Sequence, residues 1–204
     1  MGLYSDHVLP RIIDKTCGMK SLRPLRERVC RGLSGRVLEV GFGSGSSVPF
    51  YPAAVTGVSA VEPSDTAWRM AGGRLAAAKI PVDRSGLDGE SLPFEDASFD
   101  SALSTWTLCT IPDVGAALAE IRRVLKPGGT LHFVEHGLAP DASVQKWQFR
   151  LDGLQQRLFG GWHLTRQVDS LITGAGFTLT ELDSWYEPKA PRFAAAFSLG
   201  VATA

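Results

Sequence analysis

The chain has 204 residues, with 21 Lys+Arg balanced by 21 Asp+Glu, 44% apolar residues, 22 Gly and 12 Pro. That is enough for one domain with a proper core, and the zero formal net charge leaves no global field to draw in a phosphate backbone, which argues against nucleic acid as a partner. Cys17, Cys30 and Cys109 are widely spaced and form no CxxC or Cys/His cluster, so neither a disulfide framework nor a metal site is expected and a cytoplasmic location fits.

The opening MGLYSDHV has no charged region followed by an apolar one, and Asp6 stands where a myristoylation signal needs Ser or Thr, so no membrane anchor is expected. From Leu9 to Arg31 the pattern predicts one or two short helices, interrupted at Gly18 and Pro24, with Leu22, Leu25 and Val29 at helical spacing. The basic run Arg23, Arg26, Arg28 and Arg31 reads as a solvated face. Arg36–Val40 predicts a first strand, ending in the cluster Gly41-Phe42-Gly43-Ser44-Gly45, after which Ser46-Ser47 can cap a helix. Val55–Val61 predicts a second strand, and Ser64 or Asp65 a cap for a helix over Ala67–Lys79.

A short third strand starts at Ile80-Pro81-Val82, and Phe99–Thr105 makes a fourth. Val114–Leu125 predicts an amphipathic helix stopped by Lys126-Pro127-Gly128-Gly129, with a fifth strand over Thr130–Glu135. Helices are expected over Val144–Phe159 and Thr165–Ala175, then two apolar runs, Phe177–Trp185 and Phe193–Val201, as an antiparallel pair at a sheet edge. Strands alternating with helices predict an α/β fold on a mostly parallel sheet.

The glycine cluster falls at the carboxyl end of the first strand, where a doubly wound sheet builds its ligand crevice. Glycines there let backbone approach a ligand closely. The spacing is GxGxG, with Glu39 two positions before the first glycine, which departs from the GxGxxG of a dinucleotide site. A nicotinamide-dependent oxidoreductase would also show Tyr-x-x-x-Lys, which is absent. Glu62 ends the second strand 17 residues after Gly45, a distance at which a carboxylate can take two ribose hydroxyls; the alternative is a helix-capping carboxylate. Asp88, beside Gly89, either accepts from an adenine amino group or serves as a turn residue.

Taken in order, VLEVGFGSG, AVEPSD, LPFEDASFD and LKPGG resemble the motifs of class I S-adenosylmethionine-dependent methyltransferases over roughly Arg36 to Glu135. The resemblance implies a Rossmann-like seven-stranded sheet with an antiparallel last strand and S-adenosylmethionine as cofactor. It assigns Glu39, Gly41, Gly43 and Gly45 to the methionine and ribose side, Glu62 to the ribose hydroxyls, and Asp88 with Gly89 to the adenine; Thr105 is a further candidate cofactor contact. It also divides the single domain 1–204 into a helical lid segment (1–34), a cofactor core (35–136) and a substrate side (137–204).

In the C-terminal half, Thr107-Leu108-Cys109-Thr110-Ile111, Phe133-Val134-Glu135-His136 and Trp162-His163-Leu164-Thr165-Arg166 resemble methyltransferase-like proteins that S-methylate alkyl thiols. They are also similar to small bacterial enzymes acting on phospholipid amines or quinone precursors. The resemblance implies a small apolar methyl acceptor, with thiol sulfur first. Glu135 and His136, at the carboxyl end of the fifth strand, are the candidate catalytic pair; His136 is either a base or a histidine bonded within its loop. Candidate substrate contacts are His7, Trp106, Cys109, Trp147, Trp162 and His163, with core packing the alternative for the tryptophans and helix capping for His163. His132 reads as structural. A non-catalytic cofactor-binding module remains a reading from another class, because methyl transfer has no obligatory side chain.

Overall fold

A computed structural model describes residues 4–188 and 190–204; Lys189 and the first three residues of the N-terminal segment lie outside it. After one turn at Tyr4–Val8, two short helices, α1 (Leu9–Cys17) and α2 (Arg23–Cys30), precede the first strand. The strands are β1 (Gly35–Val40), β2 (Val55–Val61), β3 (Val82–Gly86), β4 (Phe99–Thr105), β5 (Leu125–His136), β6 (Thr178–Tyr186) and β7 (Ala196–Thr203). They form one sheet in the order β3-β2-β1-β4-β5-β7-β6. β7 is antiparallel to both β5 and β6, so the other six strands share one direction.

The inner strands β1, β4 and β5 are buried on both faces toward their carboxyl ends, as the centre of a parallel sheet requires, while the edge strand β6 is largely exposed. Successive residues of β1 go to opposite sides. Leu38 joins Phe99, Phe133, and Leu118 and Ile121 of α5 (Val114–Val124), while Val37 joins Val29 and Cys30 of α2. β1 and β4 lie side by side at the centre, and order reverses between them: β2 and β3 extend one way, β5 the other. The crevice at their carboxyl ends is therefore fixed by topology.

Several elements depart from the sequence expectation. No α-helix follows the glycine cluster; the chain makes turns and a single tight turn at Val48–Phe50. Pro49 and Pro52 explain this, because Pro52 lacks an N–H and drives Tyr51 to an extended ψ of 125°. The expected helix over Ala67–Lys79 breaks at Ala71 into α3 (Asp65–Met70) and α4 (Gly72–Ala76), next to Gly72 and Gly73, both weak helix formers. Ser64 does cap the first piece, accepting from the Ala67 amide at 3.1 Å.

β5 starts at Leu125, with Lys126-Pro127-Gly128-Gly129 as a bulge between the Phe99↔Leu125 and Ser101↔Thr130 pairs. α6 (Ala142–Leu158) begins two residues earlier than expected, and α7 (Val168–Gly174) three residues later. Of the C-terminal pair only β6 is an edge strand; β7 sits inside the sheet.

Gly200 of β7 explains that interior place. A Cβ there would lie 2.4 Å from the Glu181 carbonyl and 2.7 Å from the Phe133 ring. Gly200→Ala is expected to destabilise the protein by about 1–3 kcal/mol in thermal or urea unfolding. Gly153→Ala, on α6 with no atom within 4 Å of the new methyl, should instead be neutral or stabilising by up to about 1 kcal/mol.

Candidate active site

A cavity of about 610 Å³ opens at the carboxyl ends of β1, β2 and β4. The glycine loop forms one wall: Gly41, Gly43 and Gly45 all hold positive φ, 76°, 59° and 75°. At Gly41 a Cβ would collide with the Thr107 side chain at 2.0 Å, so the loop and the chain after β4 touch backbone to side chain. At Gly43 the nearest atom to an added Cβ is the Gly41 carbonyl at 4.0 Å, which leaves that backbone open toward the cavity.

Glu62 closes the loop from β2. Its Oε2 accepts from the Gly43 amide and its Oε1 from the Ser64 amide, both at 2.7 Å. Burial raises its pKa, and the two backbone donors pull it down again. Each oxygen keeps a lone pair for a further donor. Asp88 is more exposed, ties its Oδ1 to the Glu90 amide at 2.8 Å, and lines the cavity beside Gly89. Among the expected cofactor residues, Gly41, Gly43, Glu62, Asp88, Gly89 and Thr105 line the cavity together.

Glu39 and Gly45 do not. Gly45 is turned toward the Phe42 ring and Ala71, where a Cβ would meet the ring at 3.1 Å. Glu39 is wholly buried behind the loop, where its carboxylate accepts from the Tyr51 hydroxyl. Desolvation pushes its pKa up to about 7, against the pull of Tyr51, Ser47 and Arg26.

Arg26 is the wall residue that the sequence reading missed. It is 5% exposed, donating to the Thr105 hydroxyl at 3.0 Å, the Ser47 hydroxyl at 3.1 Å and the Cys17 carbonyl at 3.2 Å. Its guanidinium lies 4.8 Å from the Trp106 ring centroid, and its Nε has no partner among the described residues. The signal was in the spacing: Arg26 falls between Leu22 and Val29 on the apolar stripe of this segment, where a solvated cation does not belong.

The N-terminal segment also reaches the cavity through Leu9, Pro10, Ile13, Asp14 and Cys17. Asp14 accepts from the Ser44 hydroxyl and from Arg74 at 3.3 Å, tying α1 to the glycine loop. His7 is exposed and lies off the cavity wall.

The catalytic expectations need correction. Glu135 is fully buried and off the wall; its carboxylate accepts from Ser104 at 2.8 Å and from the amides of Thr107, Leu108 and Cys109 at 2.9, 3.0 and 3.4 Å. It holds the loop after β4 and has no oxygen facing the cavity. His136 is packed between Trp162 and Phe197, with ring centroids at 4.5 and 4.4 Å, and burial pushes its pKa down to about 3. His136 is thus held off the cavity wall in an aromatic box that favours the neutral imidazole.

Of the expected substrate contacts only Trp106 lines the cavity, in a left-handed conformation (φ 54°) that a bulky residue holds only under constraint. Cys109 is buried behind that wall, and burial with the Glu135 charge pushes its thiol well up. Trp162 packs on His136. His163 hydrogen-bonds Gln156 at 3.0 Å, and Trp147 is 57% exposed on α6. His132, read as structural, bonds the Val29 carbonyl at 3.1 Å.

A family model described as a methyltransferase domain matches residues 38–133. The thiol S-methyltransferase TMT1B of Rattus norvegicus is 32% identical over 164 residues, 78% of this chain and 66% of the relative; the chain thus spans just under two thirds of that relative's length. The phosphatidylethanolamine N-methyltransferase of Cereibacter sphaeroides is 31% identical over 168 residues, 74% of this chain and 75% of the relative. Among solved structures, a Bacillus halodurans protein described as a methyltransferase superposes with a TM-score of 0.70 at 16% identity, covering 88% of this chain and 97% of that one. The [4+2]-cyclase SpnF does so with 0.69 at 21% identity, covering 88% and 79%. At such identities these two establish the fold alone.

Glu39 sets a pH test. A carboxyl with a pKa near 7 when folded and an ordinary value when unfolded binds more protons in the native state between those values, so its contribution to stability falls as pH rises from about 4.5 to 7. Glu39→Gln keeps an acceptor for Tyr51 and removes this slope. The melting temperature of the variant relative to wild type should climb across that range, toward a gain on the order of 3 kcal/mol at most. A difference that stays flat with pH would show that Glu39 is ionised and satisfied where it lies.

Proposed function

The chain belongs to the S-adenosylmethionine-dependent methyltransferases, and on that premise we propose that it moves a methyl group from S-adenosylmethionine to a small, fairly apolar acceptor whose accepting atom is a thiol sulfur. The observation that carries the reading is the make-up of the cavity wall. The open glycine backbone and Glu62 share the wall with the apolar side chains of Leu9, Ile13, Val40, Trp106 and Ile111, and no imidazole lines it among the described residues.

The residues fit the cofactor. The space over Gly43 suits close approach of a ligand to backbone, and the free lone pairs of Glu62 suit ribose hydroxyls. Asp88 and Gly89, with the exposed Leu87 side chain, are proposed for the adenine. Arg26, buried, cationic and short of one partner, is proposed for the methionine carboxylate, the one full negative charge on that half of the cofactor. When bound, the cofactor supplies a methyl group activated by a sulfonium.

What remains for the chain is to place the acceptor in line and keep water out. A thiol with a pKa near 8.5 is partly ionised at neutral pH and can lose its proton to water, so a wall without an imidazole suffices. A phenol near 10 would want a neighbouring base or cation. Two relatives, from rat and human, bear the name thiol S-methyltransferase, which favours sulfur further.

Calorimetric titration with S-adenosylmethionine and a labelled-methyl assay on alkyl thiols, phenols and amines test this. Label on sulfur is expected; label only on phenol or amine overturns the thiol reading, and binding without any transfer points to a non-catalytic module. Arg26→Met should weaken cofactor binding by about 1.5–3 kcal/mol, the range for a hydrogen bond to a charged group, with a smaller effect on kcat. His136→Phe, which keeps an aromatic ring between Trp162 and Phe197, should leave the turnover rate near wild type; a large loss would restore the histidine to the chemistry.

A further inference from the structure

α6 turns an unusual face to the outside. Trp147, Leu154 and Leu158 are 57%, 56% and 46% exposed, and their spacing of seven and four residues stacks them in one narrow stripe along the helix. Beside it runs a second stripe with the same kind of spacing, Lys146, Arg150 and Arg157, all exposed. Arg150 leans over the Trp147 ring at 5.5 Å, joining the two. The one acidic residue of the helix, Asp152, is turned inward, where it accepts from the Leu164 amide at 2.6 Å and from Gln156 at 2.7 Å.

The surface continues to the cavity. Tyr4 donates to the Leu158 carbonyl at 2.7 Å, and Leu9 packs so closely on Gly160 that a Cβ there would stand 2.7 Å from its Cδ2. Leu9, Ile13 and Gly160 line the cavity, and Val8 and Ile13 are themselves 45% and 41% exposed. An apolar surface therefore runs from the outer face of α6 to the cavity's rim.

We propose that this face docks on an anionic lipid bilayer, with Trp147, Leu154 and Leu158 in the interface, Lys146, Arg150 and Arg157 on the acidic headgroups, and the cavity rim turned to the lipid so that an apolar acceptor enters from it. Aromatic and leucine residues on one side of a helix with cations flanking them are what an interfacial helix needs. Charge chooses among the occupants. A second copy would set one cationic row against another in a two-fold contact, whereas an anionic surface complements the row. No helix among the described residues is long and apolar enough to cross a membrane, and the contact proposed is one of the helix face with the bilayer surface.

The test uses the full chain alone, without cofactor, so that its result is separate from that of the methyl-transfer assay. Flotation with neutral phosphatidylcholine vesicles and with vesicles carrying phosphatidylglycerol is compared at low and high salt. Wild type should float with the anionic vesicles and be released by salt. Trp147→Ser with Leu154→Ser, and separately Arg150→Glu with Arg157→Glu, should each weaken the partition about tenfold or more while thermal unfolding stays unchanged. Absence of wild-type flotation overturns the proposal, as does equal flotation of all three proteins. A wild-type dimer in sedimentation that the Trp147 and Leu154 changes abolish, without vesicle binding, assigns the face to a second copy instead.

Discussion

A carboxylate with no access to water holds the site in shape. Glu135 stands near the carboxyl end of the interior strand β5 and collects the Ser104 hydroxyl and three consecutive amides from the loop after β4. An unpaired charge at that depth would be prohibitive, and four donors make it tolerable. The geometry runs both ways: the charge needs the donors, and the donors can converge only if the chain turns sharply beyond Thr105. That turn places Trp106 at a positive φ and presses Thr107 against Gly41. One buried carboxyl group thus sets the cavity's far wall and the requirement for glycine on its near wall.

The same device recurs along the carboxyl edge of the sheet. Glu62 pins the glycine loop through Gly43, and Glu39 pins Tyr51 from beneath. These three carboxylates end β1, β2 and β5 or lie next to their ends, so each fixes a loop to the rigid sheet. Only Glu62 also reaches the cavity. Acidic residues at strand ends in this fold are thus not interchangeable as candidates for chemistry: the fate of each depends on which donors the neighbouring loop brings to it.

A site built this way acts by placement. Its titratable groups are either tied to backbone, as Glu135 is, or pushed toward neutrality in the interior, as His136 is. What is left facing the cavity is open backbone, the carboxylates Asp14, Glu62, Asp88 and Glu90, a buried guanidinium and an apolar wall. That inventory suits a reaction whose driving force comes from the cofactor and whose acceptor needs little help with its proton. The apolar wall is continuous with the exposed faces of α1 and α6, the surface proposed to meet lipid.

The alternation of β-branched runs with helical periods determined the sheet, because burial on both faces demands that pattern whatever the neighbours are. The glycine spacing with Glu62 behind it located the crevice for a similar reason: open backbone and a carboxylate at a strand end are local properties. What no local rule could supply was the direction in which each remaining side chain points. Glu39 and Glu62 both end adjacent strands, yet one is sealed under the loop and the other lines the cavity. His136 and Trp162 are far apart in the chain and pack ring against ring, off the cavity wall. Arg26, in a run of four arginines, is turned inward by the apolar residues around it on α2. Each of these outcomes depends on which distant donor, ring or cavity meets the side chain, and that is a property of packed strands and helices, decided only when the chain is folded.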